Sequence, residues 1–154
     1  MDVFFEDVYR EISVRQYAKL KKLTPPTASK ILKEYKNQNL LILNKRGIYL
    51  FFRANKEHYL FKGISQLYWQ NRLYNLTKEL SEEILNRKII LFGSVIKSEN
   101  TVNSDIDLFI DLPHKEINVD KIEKQLNRKV QLHFKDALKN EYLRNNIEKG
   151  VIIR

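Results

Sequence analysis

Hydrophobic residues in the first third of the chain recur every three or four positions, and this spacing predicts three short helices with one apolar face each. Two helix starts are marked by residues that suit the N-cap position, Ser13 and Thr24. Pro25 favours the first position of the third helix, where its missing N–H would have no intrahelical partner. The helices are expected over residues 3–12, 14–22 and 25–38.

After Asn39 the pattern changes to that of extended chain. Two apolar runs, residues 40–43 and 48–53, flank a turn over residues 44–47 that ends in Gly47. Glycine adopts positive φ at little cost, so this segment predicts a β-hairpin. Three helices and a hairpin together predict a first domain over residues 1–62.

Lys62-Gly63 marks the predicted joint, and a second domain is expected over residues 63–154. Its pattern alternates helical and strand-like segments, so the fold class of the whole chain is predicted to be α+β. The expected elements are a long helix over 64–86, strands over 88–92, 105–112 and 129–134, and helices over 118–127 and 136–148.

Charge divides the chain in the same way. The 154 residues carry a formal net charge of +9; residues 1–63 hold 13 basic and 6 acidic side chains, and residues 64–154 hold 15 and 13. The excess in the first part favours a polyanionic partner there.

The chain has no cysteine, which excludes disulfides and thiolate metal sites. Neither a secretory signal nor a run of 18 apolar residues is visible, so we expect a cytoplasmic protein without a membrane partner.

The third predicted helix carries polar and basic residues opposite its apolar face, and the hairpin adds a basic tip. The candidate DNA-binding residues are Thr27, Ser29, Lys30, Lys33, Asn37, Lys45 and Arg46. The span 13–53 resembles the winged helix-turn-helix domains of bacterial and archaeal transcription regulators. That resemblance implies a helix in the major groove of double-stranded DNA and a homodimer on two-fold sites. The alternative is a domain that contacts only proteins.

A second group of residues suggests phosphate chemistry. Gly93-Ser94 follows an apolar strand, and ten residues later Asp105 and Asp107 stand two apart at the next strand, so both carboxylates leave the same face. Two close carboxylates favour a cation between them, and hard oxygen ligands suit Mg²⁺ or Mn²⁺ that also binds substrate phosphates. Gly93 would let the backbone approach a phosphate, and Ser94 would add a hydroxyl donor.

This combination resembles the polymerase-β-type nucleotidyltransferase superfamily, in particular the minimal nucleotidyltransferases of prokaryotes. The similarity covers residues 76–154, and Lys97 stands where these proteins often have a basic residue. The resemblance implies transfer of NMP from a nucleoside triphosphate to a hydroxyl acceptor. It also implies that Gly93, Ser94 and Lys97 bind the nucleotide, while Asp105 and Asp107 act as catalytic metal ligands.

The sequence departs from the family pattern at the third carboxylate. These enzymes place an acid on a following strand, where this chain has Gln131 as the best match and His133 as the next. Glutamine cannot act as a base, whereas histidine can.

Three hypotheses follow. The first is an enzyme that transfers NMP to a protein or nucleic-acid hydroxyl, with an antitoxin-like case in which a partner toxin is the acceptor. The second is a DNA-binding transcription regulator with an inactive nucleotidyltransferase domain. The third is a structural module in which both domains bind proteins.

Overall fold

Two β-sheets and eight helices organise the described chain, which in this computed structural model comprises residues 1–154 except for the side chain of Glu79. The fold is mixed α+β. The first elements are α1 (Asp2–Glu6), β1 (Glu11–Ser13), α2 (Val14–Lys21), α3 (Pro25–Asn37), β2 (Leu41–Arg46), β3 (Tyr49–Ala54) and α4 (Tyr59–Leu76). The later ones are α5 (Glu82–Leu85), β4 (Ile89–Phe92), α6 (Ser94–Lys97), β5 (Ile106–Ile110), α7 (Asp120–Leu126), β6 (Val130–His133), α8 (Glu141–Glu148) and β7 (Val151–Ile152).

The capping residues act at the predicted helix starts. The Ser13 hydroxyl accepts the backbone N–H of Gln16, and the Gln16 side chain accepts the backbone N–H of Ser13, which completes a capping box for α2. The Thr24 hydroxyl caps α3 by accepting the N–H of Thr27, with Pro25 in the first turn. The predictions for these two helices are confirmed to within one residue at each end.

Strands β1, β3 and β2 form an antiparallel sheet in that order, and helices α1 to α3 pack against it. We call residues 1–54 the N-terminal unit. The hairpin is confirmed, although β2 runs on to Arg46 so that the turn starts at Gly47, whose φ is +59°. The core of this unit includes Phe4, Leu32 and Phe52, all fully buried.

The predicted first helix over residues 3–12 is wrong in its second half. Helix α1 ends at Glu6, and Asp7 already has an extended backbone with φ of −149°. Ile12 lies in β1 opposite Phe52. Val8 and Ile12 are both buried, as the helical spacing predicts. However, strand β1, and not a helix, places Ile12 in the core.

The second sheet has the order β6-β5-β4-β7, with β5 and β6 parallel and the other pairs antiparallel. We call residues 89–154 the C-terminal unit. One face of this sheet packs in a core with α4 and α7, which includes Leu91, Leu108 and Ile122. The other face contributes Ile90 and Phe109 to a smaller cluster with α8.

Helix α4 joins the two units. Phe61, near its start, belongs to the core of the N-terminal unit, and Trp69 and Leu73, near its end, belong to that of the C-terminal unit. The helix runs through positions 62 and 63, and the division into domains there stays a prediction. A single helix over 64–86 is wrong: a 3-10 turn (Thr77–Glu79) follows α4 before α5 begins.

The predicted helix over 136–148 is also divided. Lys135–Lys139 form a 3-10 turn, and α8 starts only after Asn140, whose side-chain carbonyl accepts the N–H of Leu143 at 3.1 Å. Asn140 therefore lies at the boundary between the 3-10 turn and α8. None of the described helices combines the length and the apolar character needed to cross a bilayer.

Candidate functional site

Side chains alternate between the two faces of β5 and β6, and this alternation collects polar groups on one face. Asp107 lies opposite Gln131 on the parallel neighbour β6, Asp105 comes two positions before Asp107, and His133 comes two positions after Gln131. The intervening residues, such as Leu108, face the main core. We call Asp105, Asp107, Gln131 and His133 the carboxylate cleft.

Hydrogen bonds hold the carboxylate cleft together. The Gln131 side-chain amide donates from Nε2 to Oδ2 of Asp105 at 2.5 Å. Nε2 of His133 lies 3.4 Å from Oδ1 of Asp107, and the His133 ring meets the Phe92 ring edge-on at 5.0 Å between centroids. Both side chains of the second pair are mostly covered, with 19% of His133 and 24% of Asp107 exposed. Asp105 therefore has an amide partner on β6, and Asp107 has an imidazole partner there.

Gly93 closes the cleft from the side of β4. Its φ of +82° is one that other residues rarely adopt, and a Cβ at this position would lie 2.2 Å from Oδ2 of Asp107. The close approach and the backbone conformation both require glycine. The structure therefore brings the loop after β4 into contact with the second acid.

Ser94 and Lys97 lie on the short helix α6, which starts directly after Gly93. Ser94 is partly exposed and Lys97 is exposed. The backbone N–H groups at the start of a helix and a serine hydroxyl are suitable donors to phosphate oxygens. Ser94 directly follows the glycine that approaches Asp107, and Lys97 lies at the other end of α6.

The cleft provides only part of a metal coordination shell. Among the described side chains, no group of three or more His, Asp or Glu is arranged to hold a metal ion. Mg²⁺ is commonly bound through one or two carboxylates, with water and substrate phosphates as its other ligands. Asp105 and Asp107 match this donor chemistry, in which the protein supplies two carboxylates.

Sequence reasoning missed the residues that hold the turn in front of Asp105. Nη1 of Arg128 donates to the backbone carbonyls of Thr101 and Ser104 at 2.6 and 2.7 Å. The Arg128 side chain is 2% exposed and ion-paired with Glu6 of α1, and its burial lowers the pKa of the guanidinium from its usual value. Nothing local in the sequence marks a single arginine before a strand as buried.

The candidate DNA-binding residues lie on α3 and the hairpin. Six of them are exposed and Ser29 is half-buried; the exposed ones are Thr27, Lys30, Lys33, Asn37, Lys45 and Arg46. The Thr27 hydroxyl is bonded to that of Thr24 at 2.8 Å, and Arg46 pairs with Glu11 and stacks over Phe51. Glu34, also exposed, follows Lys30 by one helical turn and reduces the positive charge of that face.

Comparisons with known proteins agree on the C-terminal part of the chain. A family described as "Nucleotidyltransferase domain" matches residues 73–154. Two curated proteins of Methanocaldococcus jannaschii are similar: "Putative protein adenylyltransferase MJ0126" is 35% identical over 81 residues and "Putative protein adenylyltransferase MJ0128" is 34% identical over 82. Each alignment covers 49% of this chain and 83% of the relative. No solved structure matches the chain.

The matched segment contains β4, β5 and β6, and with them Gly93, Ser94, both aspartates of the carboxylate cleft and the strand that faces them. It covers more than half of the chain. The chain belongs to the nucleotidyltransferase domain family.

Proposed function

We propose that the chain transfers NMP from a nucleoside triphosphate to a hydroxyl acceptor, with Mg²⁺ or Mn²⁺ held by Asp105 and Asp107. The observation that carries this proposal is the close approach of Gly93 to Asp107, where a Cβ would lie 2.2 Å from the carboxylate. Phosphates bound along Gly93-Ser94 would therefore lie beside the cation ligands.

In the proposed reaction the acceptor hydroxyl oxygen attacks the α-phosphorus, a new P–O bond forms, and the bond to the β-phosphate oxygen breaks to release pyrophosphate, while the hydroxyl proton is given up to solvent. The divalent ion supplies neutralisation of the phosphate charge. Gly93 admits the phosphates to the backbone, the Ser94 hydroxyl donates a hydrogen bond to them, and Lys97 adds a positive charge at the edge. Gln131 holds the Asp105 carboxylate in place through its 2.5 Å hydrogen bond.

ATP and a protein hydroxyl are the substrate classes that the comparisons favour, because the two relatives are named as protein adenylyltransferases. In this form the chain attaches AMP to a side chain of an acceptor protein. The antitoxin-like case, with a partner toxin as the acceptor, is the narrower version of this proposal.

A second candidate function rests on Gln131. The family pattern implies a third carboxylate here, whereas the amide of Gln131 donates to Asp105 and cannot take a proton from the acceptor hydroxyl. His133, 3.4 Å from Asp107, is the nearest alternative base. If neither replaces the acid, the chain binds nucleotide without transfer and acts as a DNA-binding regulator.

We propose in both cases that the N-terminal unit is a winged helix-turn-helix domain that binds double-stranded DNA. The order of its elements, helix, strand, two helices and a hairpin, supports this fold. The exposed Lys30, Lys33 and Asn37 on α3 support its contact with DNA, with Lys45 and Arg46 on the adjacent backbone. Binding as a homodimer to two-fold sites is part of this proposal.

The test of the transfer is incubation with α-labelled ATP, Mg²⁺ or Mn²⁺ and candidate acceptor proteins, with detection of label and of pyrophosphate. The double variant Asp105→Asn, Asp107→Asn is expected to lose both signals. Asp111→Asn is the matched control, because Asp111 follows the far end of the same strand and pairs with Lys135 at 3.3 Å. ATP binding without any transfer to any acceptor would favour the regulator.

A further inference from the structure

Asp105 is the last residue of a loop that the two units hold between them. The loop over residues 98–105 connects α6 to β5, and its turn over residues 101–104 is closed by the hydrogen bond from the N–H of Ser104 to the backbone carbonyl of Thr101 at 3.2 Å. The Ser104 hydroxyl also accepts the N–H of Thr101 at 2.9 Å. The position of this turn therefore determines where the backbone of Asp105, the first acid of the carboxylate cleft, lies.

Arg128 forms hydrogen bonds to two backbone carbonyls of this turn. One nitrogen of its guanidinium donates to both Thr101 and Ser104, at 2.6 and 2.7 Å. The Ser104 carbonyl belongs to the same planar peptide unit as the backbone nitrogen of Asp105, so a hydrogen bond to that oxygen fixes the orientation of the Asp105 backbone. Three residues after Arg128, Gln131 holds the Asp105 side chain. A single segment therefore fixes Asp105 at both its backbone and its carboxylate.

The same Arg128 guanidinium also contacts the N-terminal unit. The second nitrogen of Arg128 donates to the backbone carbonyl and to the carboxylate of Glu6, the latter at 3.3 Å. The side-chain amide of the fully buried Asn100 donates to the backbone carbonyls of Phe5 and Glu6 at 2.8 and 3.1 Å, and the backbone carbonyl of Asn100 accepts the N–H of Val8. The carbonyls at the end of α1, which have no partner within the helix, thus receive donors from the C-terminal unit.

We propose that Arg128 is a positioning residue for Asp105 and that α1 of the N-terminal unit completes the cation site through it. This inference rests on the proposed function, because it assigns to Asp105 the cation that the transfer needs. The N-terminal unit then contributes to nucleotide chemistry by holding the turn, independently of any nucleic acid that it binds.

Arg72 provides a matched comparison. Its guanidinium pairs with the same Glu6, bonds to Tyr68 at 2.8 Å and lies 5.6 Å from the Trp69 ring, as that of Arg128 does at 5.3 Å. Its other hydrogen bond goes to the backbone carbonyl of Gln125 and not to the turn over 101–104. Substitution of either arginine weakens the packing between the units, and only substitution of Arg128 also releases the turn.

The experiment compares Arg128→Lys, Arg72→Lys and Glu6→Gln in the full chain, with folding checked by circular dichroism. Lysine keeps the charge but cannot bridge both carbonyls and Glu6. We expect Arg128→Lys to weaken Mn²⁺ binding about tenfold or more, the usual effect of losing a partner behind a metal ligand. Glu6→Gln removes the charged partner of Arg128 on α1 but leaves the backbone carbonyl that also accepts from Arg128, so we expect it to weaken Mn²⁺ binding by less than Arg128→Lys does. Arg72→Lys is expected to lower the melting temperature and to keep Mn²⁺ affinity within about twofold.

Hydrogen exchange over residues 100–106 is the second readout and needs no metal. We expect faster exchange at Ser104 and Ile106 in Arg128→Lys than in Arg72→Lys. A folded Arg128→Lys with the Mn²⁺ affinity and the exchange rates of Arg72→Lys would overturn the proposal. A wild-type chain that binds neither Mn²⁺ nor ATP would contradict the proposed function, and the exchange comparison would still decide whether Arg128 holds the turn.

Discussion

The carboxylate cleft and the basic surface of α3 are both polar sites, but they are built differently. In the cleft, strand register places Asp107 against Gly93 and His133, and three-quarters of its side chain is covered. On α3, Lys30 and Lys33 extend from an exposed helix face. Few substitutions are tolerated in a packed site, whereas each substitution on an exposed charged surface changes the binding affinity by a small amount. Substitutions in the two regions should therefore differ in kind as well as in size.

The largest effect is expected from Gly93→Ala, with Gly47→Ala as its control. Both glycines have positive φ, but only at Gly93 would the added Cβ meet a neighbour, at 2.2 Å from Asp107, while at Gly47 nothing lies within 4 Å. Displacement of a catalytic group by about 1 Å can cost about 10²-fold in rate, and we expect a loss of that order in transfer for Gly93→Ala. Gly47→Ala should cost only about 1–2 kcal/mol of stability.

Transfer rates and thermal melts of both variants provide the measurement. If Gly93→Ala retained wild-type transfer while Gly47→Ala behaved as expected, the proposed closure of the cleft at Asp107 would be wrong.

Restoring a carboxylate at Gln131 is expected to have the next largest effect. Gln131→Asp replaces the amide that donates to Asp105 with a third negative charge, so we expect a lower melting temperature without metal and about tenfold tighter Mn²⁺ binding. Gln131→Ala, which removes the amide without adding charge, is the control. Melting curves with and without Mn²⁺ measure both effects, since a bound ligand stabilises the folded state in proportion to the logarithm of its concentration over Kd. Equal Mn²⁺ affinity in the two variants would contradict the assignment.

A smaller, graded change is expected on the basic surface. Lys30→Ala with Lys33→Ala should weaken duplex DNA binding and reduce the slope of log K against log salt by about 0.9 for each phosphate that the protein no longer neutralises. Lys139→Ala with Lys149→Ala removes the same charge from exposed positions of the C-terminal unit. Binding measured over a range of salt concentrations separates a direct phosphate interaction from an overall charge effect. The same slope in both double variants would remove α3 from the proposed interface.

The smallest effect concerns pH and the packing between the units. Burial, with a contribution from the charge of Asp2, raises the pKa of Tyr68 to about 12 from 10. Because the folded state disfavours the phenolate, its contribution to stability is complete below pH 10 and is lost as the pH rises from 10 towards 12. We expect the free energy of unfolding of Tyr68→Phe to fall less steeply over that interval. Parallel curves for the variant and the wild type would contradict this.

Local signals in the sequence were sufficient where a residue acts on its immediate neighbours. The Ser13 and Thr24 caps and the positive φ of Gly47 are local effects, and the structure has them at the predicted places. The matched family likewise covers the segment with Gly93 and both aspartates, where the spacing of the motif already indicated nucleotide chemistry.

Long-range contacts were not readable from the sequence. Helical spacing from Phe4 to Ile12 gave the wrong element because the partner of Ile12 is Phe52, forty residues away. The long helix over 64–86 ends early where the Thr77 hydroxyl bonds back to the carbonyl of Tyr74. Arg128 binds Glu6 across 122 positions, so its role depends on how the two units pack and on nothing near it in the chain.

Joint binding of a divalent cation and a triphosphate at Gly93, Ser94, Asp105 and Asp107 is the basis of the proposed transfer. The most direct measurement is NMR of the backbone amides of the full chain during titration with Mn²⁺ and ATP, because a paramagnetic ion broadens only nearby signals. At substoichiometric Mn²⁺ we expect the strongest broadening at Gly93, Ser94 and Asp107, weaker broadening at Asp111, about 13 Å further along the chain, and loss of the effect in Asp105→Asn, Asp107→Asn. Broadening centred elsewhere, or an unchanged pattern in that double variant, would contradict this joint binding.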